Sequence, residues 1–300
     1  MSKEIKVFYH CGDLDGWCSG AIIKYYYLKK NVNLEMFPIN YGDEFPWEEI
    51  NRDDIIYMVD FSLQPFSQMT LLADFLDDGK GELIYVDHHK GILEDFKNSK
   101  IKCSGIVDTS RAACELIWGY LFIKDAPLFV KYLGAYDIWD HSGTLASWEE
   151  IENFQYGFKS QAKDPKIDMD FWKDWFIELR PEDEKSIICS VGGDGNLIRS
   201  YIEDRFESNL SERSYNCIWE SYRCLVVNSN PDIANYMTRS KKFNGCNIAI
   251  NYVDVKGEYW MVNLRTTRKD IDLSVIAKKY KGGGHPTAAG FICKELPWKR

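Results

Sequence analysis

The sequence predicts an α/β protein with an N-terminal domain built on a mostly parallel sheet flanked by helices. A helical linker and a smaller C-terminal α/β domain follow. Two observations carry this expectation. Over the first 140 residues, short apolar runs alternate with amphipathic stretches, the order of βαβ units. After a charged, aromatic stretch with no strand pattern, a second alternation begins near residue 222. The expected boundaries are 1–145, 146–220 and 221–300.

The elements follow in order. Residues 5–10 (IKVFYH) read as a buried strand and 17–30 (WCSGAIIKYYYLKK) as a helix. The runs 34–39, 54–60 and 82–87 read as further strands, with a helix from Pro65 to Leu76 between the last two. The pattern turns helical from 111 to 136, and helices are expected around 168–179 and 194–210. The glycine-bearing SVGGDGN (190–196) follows no strand and lacks the Lys-Ser/Thr of a P-loop, so it is read as a helix-starting turn. In the C-terminal region CLVVNS, NIAINYVDV and EYWMVNLRTT are strand-like, with a hairpin turn at Lys256-Gly257 and a helix over 272–280.

Composition narrows the function. A net charge of −9 argues against a broad basic face gripping long nucleic acid, though not against a small phosphate substrate served by cations. Nine cysteines without a CxxC pair argue against zinc fingers and a disulfide scaffold. With no signal-type apolar stretch and no apolar run near 18 residues, a cytoplasmic protein without membrane contact is expected.

Four of the five histidines lie in short clusters with aspartate or glycine: His10 in HCGDLDG, His88 and His89 in VDHH, and His285 in GGGHPTAAG. Histidine and aspartate are the natural ligand pair for hard and borderline divalent cations. In parallel sheets, ligands collect beyond the C-terminal strand ends. His10 and Asp13 follow the first strand, Asp60 closes the strand 54–60, and Asp87-His88-His89 closes the strand 82–87. Three strands thus deliver acid or imidazole to one edge. Asp13 and Asp15, two apart in a glycine-flanked loop, can both enter one cleft, although the same pattern would serve an Asx turn. A single carboxylate such as Asp60 can bridge two cations. YDIWDH offers Asp137 or Asp140, between which spacing does not choose, and His141 is left as a surface residue. GGGHPTAAG reads as a loop of exposed backbone N–H groups, then His285, then a helix. Arg265 in the preceding strand is a fork-shaped phosphate partner.

Taken in order, HCGDLDGWCSGA, MVDFS, VDHHKG, YDIWD, VNLRTT and GGGHPTAAGF resemble the motifs of the DHH–DHHA1 phosphoesterases. The wording around YDIWD and the first motif is closest to the nano-RNase B branch of oligoribonucleases. The resemblance spans nearly the whole chain apart from about 145–220. It implies a DHH catalytic domain, a DHHA1 substrate-binding domain, and two divalent metal ions, Mn²⁺ with Mg²⁺ as the alternative. Carried onto matching positions, one ion falls to His10, Asp13 and Asp60, the other to Asp15, Asp60, His88 and Asp137. Asp87 would orient an imidazole and His89 would face the scissile phosphate. Arg265, Gly283, Gly284 and His285 would hold the substrate.

The implied activity is metal-dependent hydrolysis of short RNA or DNA oligonucleotides to 5′-mononucleotides, in the manner of a 3′–5′ exoribonuclease. The alternatives are a phosphodiesterase for cyclic dinucleotides or their linear products, and a non-catalytic nucleotide sensor on the same scaffold. Long duplex nucleic acid is not an expected partner, and a homodimer is a family-level expectation.

Overall fold

The computed structural model describes residues 4–231 and 233–299. The chain divides into two compact units, residues 1–198 and 199–300.

In the first unit the order is β1 (Ile5–His10), α1 (Leu14–Leu28), β2 (Glu35–Ile39), β3 (Ile55–Val59), α2 (Ser67–Asp77), β4 (Glu82–Asp87), α3 (Lys90–Ser99) and β5 (Ser104–Val107). The helices α4 (Ala113–Leu121), α5 (Leu128–Asp137), α6 (Trp148–Gln161) and α7 (Met169–Trp175) follow. The five strands form a wholly parallel sheet in the order β2-β1-β3-β4-β5. Successive strand residues point to opposite faces, and here both faces are buried. Val7, Tyr9, Tyr57, Val59, Ile84 and Val86 pack into one core with α1, α4, α5, α6 and α7. Phe8, Ile56, Met58, Leu83 and Tyr85 face a second core with α2. That two-sided burial is why these strands read as continuous apolar runs. Strand order reverses between β1 and β3, the kind of point where α/β sheets open a crevice at their C-terminal edge.

Two local expectations are corrected. Helix α1 begins at Leu14 rather than Trp17, because the Asp13 carboxylate accepts the Gly16 N–H at 3.0 Å and caps the helix three residues early. The SVGGDGN stretch starts no helix. It lies inside α8 (Pro181–Arg213), within which the boundary between the units falls. One of its three glycines serves close packing: a Cβ on Gly195 would stand 1.7 Å from the Asn153 carbonyl oxygen of α6, and one on Gly157 of α6 would stand 2.0 Å from that of Val191. The two helix backbones touch where side chains would hold them apart.

The second unit continues from α8 with β6 (Tyr215–Trp219), β7 (Tyr222–Asn228), α9 (Ile233–Met237), β8 (Ile248–Val255), β9 (Tyr259–Arg265), α10 (Leu273–Lys279), β10 (Gly283–His285) and β11 (Ala288–Cys293). Its sheet has the order β10-β11-β9-β8-β7-β6, with β7 and β8 the one parallel pair among the described strands. The β8–β9 hairpin turns at Lys256-Gly257, both with positive φ, with residues 256–258 between the paired Val255 and Tyr259. One sheet face packs with α10 through Val226, Ile250, Val262 and Leu264. The other packs with α9 and the end of α8 through Leu225, Val227, Ala249 and Leu210. Among the described residues no helix follows His285. Residues 283–293 form an antiparallel hairpin in which β11 pairs with β9, so this part of the reading is also corrected.

Candidate metal centre

The C-terminal ends of β1, β3 and β4 bring His10, Asp60, Asp87, His88 and His89 to one edge of the first sheet. Asp13 caps α1 and Asp15 sits in its first turn. A Cβ on Gly16 would lie 2.1 Å from the His10 carbonyl oxygen, so only glycine lets α1 start this close to the strand end. Asp137, the last residue of α5, joins from the other side of the chain's path. Asp140, the spacing alternative, turns away and accepts the Ser142 N–H at 2.9 Å.

Three overlapping groups of donor atoms result: His10 with Asp13 and Asp60, Asp15 with His88 and Asp137, and Asp60 with His88 and His89. Asp60 faces two ways. Its Oδ2 lies 3.5 Å from His10 Nδ1, and its Oδ1 lies 3.3 Å from His88 Nε2 and 3.8 Å from His89 Nδ1. His10 Nδ1 is also 3.0 Å from Asp13 Oδ2, and His88 Nε2 is 3.1 Å from Asp137 Oδ2 and 3.5 Å from Asp15 Oδ2. The backbone of Asp60 is left-handed (φ +54), which aspartate tolerates better than most side chains.

The electrostatics are those of crowded acids. Burial raises the Asp60 pKa, and the Asp13 charge raises it further. Burial likewise raises Asp15 well above the carboxylate range, with Asp60 and Asp137 adding to the effect. Yet both Asp15 oxygens accept N–H groups at the start of α4, from Ala113 at 2.9 Å and Cys114 at 2.7 Å. A helix N-terminus favours the anion. Burial alone would lower His10 and His88, but Asp13 and Asp60 beside the first, and Asp137 and Asp60 beside the second, raise each to about 11.

These residues fit divalent cations on an observation independent of motif. Among the described residues, His10 Nδ1 and Asp60 Oδ1 are buried without a hydrogen-bond partner, although both face groups of opposite character. Buried polar atoms are rarely left so. Oxygen and imidazole donors converging on such atoms are a donor set for Mn²⁺ or Mg²⁺.

Asp87 and His89 form a separate chain. Tyr85 Oη donates to Asp87 Oδ2 at 2.6 Å, while Asp87 Oδ1 accepts the His89 N–H at 2.9 Å and faces His89 Nδ1 at 2.8 Å. Burial would raise Asp87, but the hydrogen bonds and charge of His89 hold it below the usual range. An ionised Asp87 can only accept, so the proton belongs on His89 Nδ1 and Nε2 is left for other work.

Sequence reasoning missed Asn40 and Tyr41 beyond β2. Asn40 Oδ1 lies 3.2 Å from His10 Nε2, and the Tyr41 ring stands 5.7 Å from that of His10. Burial and the Asp87 charge push the Tyr41 hydroxyl up to about 12. The only signal available was their place after a strand on the same edge.

The other expected residues belong to the second unit. Arg265 pairs with Ala288, and Ala288 with His285, so Arg265 and His285 occupy one rung across β9, β11 and β10. Residues on one rung share a sheet face. Arg265 is steadied by Nε donating to Asn235 Oδ1 at 2.8 Å. Gly283 is exposed, and Gly284 has φ +133.

Residues 224–298 match the DHHA1 domain family. A curated relative, uncharacterised protein R106 of Acanthamoeba polyphaga mimivirus, is 26% identical over 310 residues, covering 95% of this chain and 66% of that protein. The chain thus spans just under two thirds of that relative's length. Among solved structures, a pGpG-specific phosphodiesterase, PggH from Vibrio cholerae, gives a TM-score of 0.52 at 14% identity, over 97% of this chain and 93% of that one. RecJ from Thermus thermophilus, in complex with Mn²⁺, gives 0.50 at 14% identity, over 96% of this chain and 49% of that one. At these identities the likeness is one of fold. Residues 224–298 are thus a DHHA1 domain, and the chain is similar in fold, along nearly its whole length, to PggH and RecJ.

Proposed function

We propose that this protein is a phosphodiesterase that hydrolyses short oligonucleotides to 5′-mononucleotides with two divalent cations, Mn²⁺ or alternatively Mg²⁺. The observation that carries the reading is Asp60, whose two oxygens face two different imidazole–carboxylate groups. His10, Asp13 and Asp60 would hold one cation, and Asp15, Asp60, His88 and Asp137 the other. When bound, such a pair supplies Lewis acidity and a nucleophile at neutral pH. Asp87 keeps the His89 proton on Nδ1 and holds the ring in one orientation. The Asp87 and Asp60 charges outweigh burial in raising the His89 pKa, so its Nε2 can donate to a phosphoryl oxygen or to the leaving alcohol. Arg265 and His285, on one rung of the second sheet, would hold the substrate's phosphate or terminal nucleotide, with Gly283 and Gly284 allowing close backbone approach.

A second reading takes cyclic dinucleotides or their linear products as substrate, favoured by the shared fold with a pGpG-specific enzyme. A sensor without activity is disfavoured because every expected donor position is filled. Among the described residues no helix is long and apolar enough to cross a membrane. The deciding experiment incubates purified protein with an end-labelled RNA dinucleotide, with and without Mn²⁺. Mononucleotide release only with the cation supports the enzyme, and binding without release supports the sensor. Faster turnover of a cyclic dinucleotide by the same preparation would favour the second reading.

A further inference from the structure

The segment just beyond Asp137 carries a feature that the cation centre does not use. Four rings, Tyr136, Trp139, His141 and Trp148, form one cluster. Tyr136 and Trp148 are nearly parallel at 8°, with centroids 5.6 Å apart, and Trp139 lies 5.3 Å from Trp148 at 18°. His141 is exposed, as expected, and its ring lies tilted against Trp148 at 4.0 Å, so the fifth histidine belongs to this cluster. Trp139 contacts the other three and still has 48% of its surface open to solvent.

The backbone makes that exposure harder to dismiss. Helix α5 ends with the Asp140 N–H bonded to the Ala135 carbonyl, and Trp139 has φ +55. This is the left-handed helix-ending position that ordinarily takes glycine or asparagine. A tryptophan there is strained and still half in water, so neither core packing nor backbone ease accounts for it. Strain of this kind clusters at ligand-binding sites. Position adds the last element. Asp137 reaches His88 at 3.1 Å, and Trp139 follows two residues later, within about 7 Å along the chain.

We propose that Trp139 is a base-stacking subsite of the candidate centre, on which a nucleobase of the substrate lies while its phosphate faces the cations that Asp137 and its neighbours would hold. The proposal rests on the phosphodiesterase reading for its substrate class and adds a selection for nucleotides over base-free phosphate esters. Trp139 has the chemistry for this role: a flat ring accepts any base, so recognition would be tolerant of sequence. The rings of Trp148 and Tyr136 hold it in place before the ligand arrives.

The test compares the wild type with Trp139→Gly, which suits the backbone and removes the ring, and with Trp139→Phe, which keeps a ring. Each is assayed with Mn²⁺ on a labelled dinucleotide and on matched analogues lacking one base or the other. Each is also titrated calorimetrically with AMP. Trp139→Gly should lose roughly 5- to 150-fold in kcat/KM on the dinucleotide, the span that base stacking supplies. It should lose nothing on the analogue lacking the stacked base, and its AMP affinity should fall in parallel. Trp139→Phe should stay close to wild type on every substrate. Equal losses on base-bearing and base-free substrates would mean that Trp139 only positions Asp137, and would overturn the proposal, as would unchanged kinetics and AMP binding. If the wild type cleaves no substrate, the phosphodiesterase reading falls while the AMP titrations still decide the subsite.

Discussion

Asp60→Asn separates the cation centre from the fold that carries it. Asparagine keeps the shape and tolerates the left-handed backbone at this position, so the change removes charge and little else. Alanine would add backbone strain of about 1–2 kcal/mol and blur the result. In the metal-free protein the substitution should be neutral or stabilising, because burial and the Asp13 charge already disfavour ionised Asp60. With cations the balance reverses. An opposite unit charge about 3–4 Å from a carboxylate is worth roughly 5 kcal/mol at an effective dielectric of 20. Returned hydration cancels much of this, but about 1.4 kcal/mol left over is already a tenfold loss of affinity. Removing a group that merely orients a ligand costs about 10–100-fold, so losing a carboxylate shared by both cations should cost more than about 100-fold in turnover. The assay is a pair of thermal melts, in chelator and in Mn²⁺, alongside dinucleotide hydrolysis. At about 100 times Kd the wild type gains roughly 2.7 kcal/mol, or about 5–10 °C for a unit of this size. Asp60→Asn should melt at or above wild type in chelator and gain less than a third of that shift. A variant with the full Mn²⁺ shift and turnover within tenfold of wild type would refute the shared-carboxylate argument.

Other outcomes follow from the same geometry. His10 and His88 are raised to about 11 from 6.5, so the stability they lend the metal-free protein is complete below pH 6.5 and is lost as pH rises toward 11. Bound cations remove those protons in advance, so the Mn²⁺-induced gain in Tm should widen from pH 6.5 to 9, with about one proton released per ion in calorimetry; a gain that narrows would contradict the donor set. Asp87→Asn should lower kcat about 10–100-fold, as loss of an orienting partner does, while leaving KM and the Mn²⁺ shift nearly intact; loss of the shift would make Asp87 a ligand instead. Gly195→Ala gains about 1 kcal/mol of helix propensity but puts a Cβ 1.7 Å from a backbone oxygen. Overpacking of about 1–3 kcal/mol or more should therefore win, and a higher Tm would disprove the close approach of α6 and α8.

What could be read from the chain is what local rules decide. Apolar runs buried on both faces marked β1, β3 and β4, and the polar residues at their ends then had to share an edge, because parallel strands in one sheet finish together. His10, Asp60 and Asp87-His88-His89 were legible for that reason. Residues placed by the meeting of distant elements were not. Asp137 and Asp140 are equivalent by spacing, and only the end of α5 aims one at His88 while the other caps a turn. The glycines of 190–196 look like a loop because glycine is a poor helix former. For Gly195 the reason is a partner helix some forty residues earlier, whose backbone leaves no room for a Cβ. The run after Gly282 reads as a loop entering a helix, yet register with β9 makes it a hairpin and sets His285 on the rung of Arg265. Trp139 shows the same limit from the other side: its sequence neighbourhood is an ordinary helix end, where glycine would be cheaper. Only the stack with Trp148 and Tyr136, and the nearness of Asp137, turn a local misfit into an argument for a ligand. A residue that violates its local rule and is then braced by three others is better explained by what it binds than by how it folds.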